Sequence, residues 1–290
     1  MIKILIKLRY MEMNNNNFEE FKIKSTNETG LSLRLYKKDN DFDKILVITH
    51  GYGEHQGYYV EFANYFSNHG YAVCTYDLRS HGLSDGKKGH VSSFELFLDD
   101  LDRIIDFARK QVGELQINLF GHSMGGSIVL NYLLRRTLVG IDKSIISSPW
   151  LKLAFEPPKL KLFLANIGKN LFPSLVMKGE LNPDDLSRNS EFVARFIDDP
   201  LTYDKISPGY FSTIREYGQY ALSKANKLKY PILMSHGSDD NVTSSSASRA
   251  FCGNCGNMCE YKLWEGYKHV VFSENDMDKI FEFYMNYLVS

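Results

Sequence analysis

The chain is predicted to be an α/β protein built on one eight-stranded, mostly parallel sheet flanked by helices. Short apolar runs recur along it, helical patterns fill the intervals between them, and only the first two strand-like segments alternate apolar and polar residues. Those two, residues 21–25 and 31–38, flank Asn27-Glu28-Thr29-Gly30 and read as an antiparallel edge pair. The later runs 45–49 (I-L-V-I-T), 71–76 (Y-A-V-C-T-Y), 117–120, 144–147, 232–235 and 261–264 are mostly apolar, as parallel strands covered on both faces are. The clearest helix runs over 92–112. Ser92 and Glu95 fit a capping box, and Phe94, Phe97, Leu98, Leu101, Ile104, Ile105 and Ala108 keep one apolar face. From Leu151 to about Asn226 no strand pattern occurs, and six prolines punctuate a helical pattern; this reads as a helical lid inserted between strands 6 and 7. Within it Pro158 suits a first turn, and Leu160, Phe163, Leu164, Ile167 and Leu171 keep helical spacing until Pro173. Leu162 falls on the other face beside Lys161 and Lys169. It reads first as a stray leucine on a solvated face, and second as a transient contact with a membrane surface.

Length and composition fit this reading. With 290 residues, 43% hydrophobic and 13% aromatic, the chain can bury one large core, here assigned to residues 21–290. Residues 1–20, with the polar run Asn14 to Asn17, read as a disordered extension. A formal net charge of -1 gives no footprint for nucleic acid, and a small neutral or amphiphilic substrate is the easier fit. Residues 1–10 are too short to span a bilayer, are broken by Lys3, Lys7 and Arg9, and lack a cleavage site, so an intracellular, cytoplasmic protein is expected, with peripheral membrane contact as the variant. In a reducing compartment its four cysteines would stay as thiols. The cluster Cys252, Cys255 and Cys259 leaves a tetrahedral zinc one ligand short and reads as a loop with unpaired thiols; no metal or cofactor is expected.

The chemistry is read from Gly121-His122-Ser123-Met124-Gly125. This G-x-S-x-G lies where the run 116–120 turns directly into a segment with Ile128, Val129, Tyr132 and Leu133 at helical spacing. A serine on such an elbow projects its hydroxyl above the sheet edge, and the two glycines allow the backbone to close tightly. Its hydroxyl needs a histidine as base and a carboxylate to orient that histidine. On this scaffold they follow the last two strands in the order acid, histidine. The run 232–235 precedes Asp239 and Asp240, and 261–264 precedes His269. No histidine other than His269 follows His236, whereas Asp239 and Asp240 both remain open as the acid. An oxyanion would be held by the backbone N–H groups of Met124 and Tyr52, the latter in His50-Gly51-Tyr52-Gly53-Glu54-His55.

The blocks H-G-Y-G-E-H (50–55), Y-D-L-R-S-H-G-L-S-D-G (76–86), G-H-S-M-G-G (121–126), L-S-R-N (186–189) with D-D-P-L (198–201), G-S-D-D-N-V (237–242) and E-G-Y-K-H-V (265–270) occur in order. Together they resemble the monoacylglycerol lipase and lysophospholipase group of the α/β-hydrolases, over about residues 21–288. The resemblance implies an α/β-hydrolase fold and favours Asp240 over Asp239. It also implies that Glu54 and His122 lie near the polar head of a substrate, although bracing the loop is an equal reading for both. Two positions depart from the group: Tyr58 stands where it carries an arginine and Phe196 where it carries a lid tyrosine, which is expected to remove polar groups from the entrance. The resulting expectation is a cofactor-free serine hydrolase acting on a small amphiphilic lipid ester. An acyltransferase or a short-chain carboxylesterase on the same acyl-enzyme chemistry is the alternative, and a non-catalytic ligand-binding protein the more distant one.

Overall fold

A computed structural model describes residues 18–38, 41–157, 167, 171–179 and 181–290. Its main sheet has eight strands in the order β1-β2-β4-β3-β5-β6-β9-β10: β1 (Phe18–Lys24), β2 (Gly30–Tyr36), β3 (Lys44–Thr49), β4 (Tyr71–Tyr76), β5 (Gln116–His122), β6 (Ile141–Ser147), β9 (Ile232–Gly237) and β10 (Cys259–Trp264). β2 pairs antiparallel with both β1 and β4, and the remaining pairs are parallel. The first strand begins at Phe18, inside the stretch read as an extension; Phe18 faces Tyr36 in register and Arg34 lies over its ring.

Alternation along the central strands fills two apolar layers. Ile45 and Val47 of β3 point to the layer holding α2 (Glu95–Val112), α3 (Met124–Arg135), α5 (Pro208–Lys224) and α6 (Ser245–Asn254). Leu46 and Ile48 point to the layer of α1 (Val60–Ser67) and α7 (Met277–Val289), where Phe62, Phe66, Phe120, Phe281 and Tyr284 meet. Burial of each such side chain contributes about 1.5–3 kcal/mol.

The helix expected from residue 92 starts at Glu95, with Phe94 at its N-cap and no side-chain cap bond. Tertiary partners claim the acidic residue of the supposed box: Glu95 accepts from Tyr217 Oη at 2.8 Å and pairs with Arg135, while the neighbouring Phe94 is buried against the Tyr217 ring.

Between β6 and β9 the chain leaves the sheet. This insertion contains α4 (Ser190–Asp198), α5 and, within the stretch read as strandless, a two-residue antiparallel ribbon of β7 (Met177–Lys178) and β8 (Lys205–Ile206). Asn189 caps α4 by accepting from the Glu191 and Phe192 N–H groups, and Arg188 binds Glu274 at 3.0 Å, which gives the L-S-R-N block a structural role. The expected helix from Pro158, with Leu162 and its flanking lysines, lies outside the described residues apart from Ile167 and Leu171.

The cysteine reading is corrected. Cys252 near the end of α6 and Cys259 at the start of β10 form a disulfide, their Cα atoms 5.1 Å apart, while Cys255 and Cys74 are free and buried. The short helical turn Gly256–Met258 folds the chain back so that the two thiols meet, a proximity that spacing alone does not reveal.

Candidate active site

Ser123 sits at the junction of β5 and α3 with φ 53° and ψ −118°, in the left-handed half of backbone space that a non-glycine residue enters only under constraint. Its N–H donates to Ser147 O at 2.9 Å, and its carbonyl accepts from Trp150 N at 2.9 Å. The turn closes because its glycines lack side chains. A Cβ on Gly121 would lie 2.6 Å from Gly125 O, and one on Gly125 2.2 Å from Thr49 O.

His269 and Asp240 complete a chain of hydrogen bonds. Ser123 Oγ lies 3.0 Å from His269 Nε2, and His269 Nδ1 lies 2.8 Å from Asp240 Oδ2. With Nδ1–H donating to the carboxylate, the Nε2 lone pair faces the serine hydroxyl, as a general base requires. All three residues are buried. The two aspartates left open by the sequence take different positions. Asp239 is exposed and accepts from Ser238 Oγ, whereas Asp240 turns inward and accepts from the N–H groups of Val242 (2.8 Å) and Thr243 (2.9 Å). Burial works to raise the Asp240 carboxyl, but the charges and hydrogen bonds of His269 and His236 outweigh it and hold the group well below the usual carboxylate range. It therefore stays ionised beside His269. Asp240→Asn is expected to lower kcat by about 10⁴-fold by presenting the wrong tautomer partner, while Asp239→Asn stays within about threefold. Steady-state kinetics on an aryl ester checks both, and equal losses would contradict the assignment.

His236 was not singled out by sequence. Its Nε2 lies 2.9 Å from Asp240 Oδ2 and its Nδ1 2.9 Å from Ser248 Oγ, and it is fully buried at the end of β9. Thr243 Oγ1 adds a further bond to Asp240 Oδ2 at 2.9 Å. The available signal was the i, i+4 spacing of His236 and Asp240 across a tight turn.

The loop after β3 lines the same cavity as Ser123 through Gly51, Tyr52 and Glu54. Met124 opens α3, where the first backbone N–H groups have no partner within the helix and the helix dipole is positive. Tyr52 lines the cavity together with Ser123, in a loop held on several sides. Gly51 N–H donates to Glu54 Oε1 at 2.5 Å, Tyr59 Oη donates to the same oxygen at 2.7 Å, and the His50 ring spans Gly51 O and Leu78 N. Burial raises the Glu54 carboxyl above its ordinary value. Both Glu54 and His122 line the cavity above Ser123; His122 Nδ1 faces Ser147 O at 3.2 Å, and burial pushes its ring well below the usual imidazole range, so it is neutral. The Y-D-L-R-S-H-G block braces this loop: Asp77 accepts from Gln56 N and Leu83 N, each at 2.8 Å.

A cavity of about 560 Å³ opens over Ser123, walled mainly by apolar side chains such as Trp150, Leu175, Met177, Phe192 and Phe211. Phe196 lines it, but Tyr58 does not. The Tyr58 phenol is buried, 3.3 Å from Asp199 and beneath Arg195, whose guanidinium lies 4.7 Å over the ring. Phe196 presents an apolar ring to the cavity, whereas Tyr58, expected at the entrance, is spent on joining the insertion to the loop after β3. His55 reinforces that joint, its Nε2 2.9 Å from Asp199 Oδ2.

Residues 40–276 match the serine aminopeptidase S33 family. The chain is 30% identical over 252 residues to an uncharacterized abhydrolase domain-containing protein of Dictyostelium discoideum, across 86% of this chain and 27% of that one, so it spans about a quarter of that relative. It is 30% identical over 241 residues to the phospholipase YtpA of Bacillus subtilis, across 82% of this chain and 92% of the relative. The crystal structure of the Paleococcus ferrophilus monoacylglycerol lipase is similar with a TM-score of 0.78 and 28% identity, across 94% of this chain and 98% of that one. Among the described residues no helix is long and apolar enough to cross a membrane. The fold, the family match and these relatives agree: the chain belongs to the serine aminopeptidase S33 family of α/β-hydrolases, in the group that holds the monoacylglycerol lipases.

Proposed function

We propose that this protein is a serine hydrolase that cleaves carboxylic esters of amphiphilic acyl lipids, in the manner of a monoacylglycerol lipase or lysophospholipase. The observation that carries this reading is the hydrogen-bonded series Ser123, His269, Asp240 lying beneath a large, mainly apolar cavity. Ser123 Oγ attacks the ester carbonyl while His269 Nε2 takes its proton. The Tyr52 and Met124 N–H groups hold the oxyanion, and Asp240 stabilises the imidazolium. Collapse breaks the bond to the alcohol, which leaves with the proton from His269. Water then attacks the acyl-enzyme with His269 again as base, releasing the fatty acid and the free serine.

In this reading the insertion is a lid, and its apolar residues Phe172, Leu175 and Met177 form the acyl channel. These side chains are 62%, 57% and 51% exposed, which suits a surface that receives a hydrocarbon chain. Glu54, whose Oε1 accepts from Gly51 N–H and Tyr59, supports the oxyanion loop and lines the cavity. The relatives named a phospholipase and a monoacylglycerol lipase support an acyl-lipid substrate. The test compares kcat/KM on a long-chain monoacylglycerol, a lysophosphatidylcholine and a short-chain aryl ester. One of the two lipid esters is expected to be the best substrate, and a preference for the short aryl ester would overturn the lipid assignment.

A further inference from the structure

The cavity wall is mainly apolar, but beside His269 it also includes the polar side chains of Asp185 and Asn241, set among Leu186, Val242 and Val270. We propose that Asp185 and Asn241 form the subsite for the leaving alcohol and select it by charge, admitting neutral and zwitterionic headgroups and excluding anionic phosphate monoesters. This inference rests on the ester-hydrolase reading above.

Placement comes first. Asp185 closes the short turn Pro183–Asp185, and this segment runs against the strand of chain that carries the general base: His269 N–H donates to Asp185 O at 3.4 Å and Val270 N–H to Leu186 O at 2.7 Å. Asn241 directly follows Asp240. The side chains are joined across the cavity wall, Asn241 Nδ2 donating to Asp185 Oδ1 at 3.1 Å. His269 must protonate the departing oxygen, so that oxygen lies within hydrogen-bond reach of Nε2 and the group attached to it falls on this side of the cavity. The acyl chain takes the apolar side.

Chemistry follows from what these groups offer. A carboxylate only accepts hydrogen bonds. One amide N–H of Asn241 is spent on that carboxylate, and its amide oxygen adds another acceptor. Among the described residues no basic side chain forms an ion pair with Asp185, and Lys268, which reaches this turn, gives its ammonium to the Asp184 carbonyl. The one lysine among the described residues of the cavity wall, Lys178, stands on the ribbon strand β7 and forms no ion pair with Asp185. Such a wall matches hydroxyl and ammonium groups. It repels a phosphate monoester, whose charge near −2 brings no donor to offset the Coulomb cost.

The test uses three octanoyl esters below their critical micelle concentrations, so that interfacial charge plays no part: octanoylglycerol, octanoyl-lysophosphatidylcholine and octanoyl-lysophosphatidate. The wild-type protein is expected to turn over the lysophosphatidate with a kcat/KM at least about tenfold below that of the lysophosphatidylcholine, with the gap narrowing as salt is raised. Asp185→Asn is expected to shrink the gap to about threefold or less, and Asp185→Lys to reverse it. Asp185→Ser serves if the lysine variant does not fold, as judged by thermal melting. A wild-type protein with no such gap, or a gap that survives these substitutions in folded protein, overturns the subsite. Absence of any ester turnover together with absence of fluorophosphonate labelling overturns the hydrolase reading itself. Labelling and aryl-ester turnover with an unmoved headgroup ratio overturns the subsite alone.

Discussion

Ser123→Ala is expected to lower kcat on an aryl ester by about 10⁶-fold, His269→Ala by about as much, and the double variant by no more than either. The expectation follows from geometry. With Nε2 3.0 Å from the hydroxyl, the serine is a nucleophile only while the histidine can take its proton, and the histidine has no proton to take once the serine is gone. The two side chains therefore act as one unit, and their losses do not add. Additive losses, with the double variant far below both singles, would mean that the two residues assist the reaction separately. On the proposed mechanism, all variants are expected to retain the rate that the Tyr52 and Met124 N–H groups provide.

Arg79→Ala is expected to destabilise the fold by about 3–5 kcal/mol, a fall in melting temperature of roughly 10 °C. Arg79 and Asp100 form a forked ion pair, Nε to Oδ2 at 2.6 Å and Nη2 to Oδ1 at 2.5 Å, and their side chains are 6% and 0% exposed. Ser25 Oγ also binds Asp100. Removing the guanidinium strands a carboxylate in the core, and burial already pushes that group upward against the pull of Arg79. The pairing joins the Y-D-L-R-S-H-G block to α2 and to the β1–β2 connection. Because the cost arises from the stranded charge, Arg79→Met combined with Asp100→Leu is expected to recover most of the stability. Thermal melting of both variants checks this, and a double variant as unstable as the single one would contradict it.

Much of the fold was legible because its signals are local. Apolar runs such as 45–49 and 71–76 fit strands covered on both faces, as in mostly parallel sheets, and the alternation in 31–38 marks a strand with one wetter face. The elbow was legible for the same reason, since strand, glycines, serine and helix are contiguous. What failed depended on partners distant in sequence. The helix start was misplaced because Glu95 is claimed by Arg135 and Tyr217. Tyr58 read as an entrance residue because its partner Asp199 lies 141 residues away. Asp239 and Asp240 were separated by the resemblance and not by the residues alone, because a single residue within one turn decides which carboxylate receives the Val242 and Thr243 N–H groups. His236 looked like an ordinary strand-end histidine until the turn brought it onto Asp240. The thiols of Cys252 and Cys259 looked unpaired for want of the turn that joins them.

The central claim is that Ser123 is a nucleophile activated by His269. Its most direct test is intact-protein and peptide mass spectrometry after treatment with a fluorophosphonate, which phosphonylates an activated serine and displaces fluoride. The expected result is one adduct per chain, located on the peptide containing Ser123, absent from Ser123→Ala and strongly slowed in His269→Ala. No adduct on the wild-type protein, or an equal adduct on Ser123→Ala, would contradict the account.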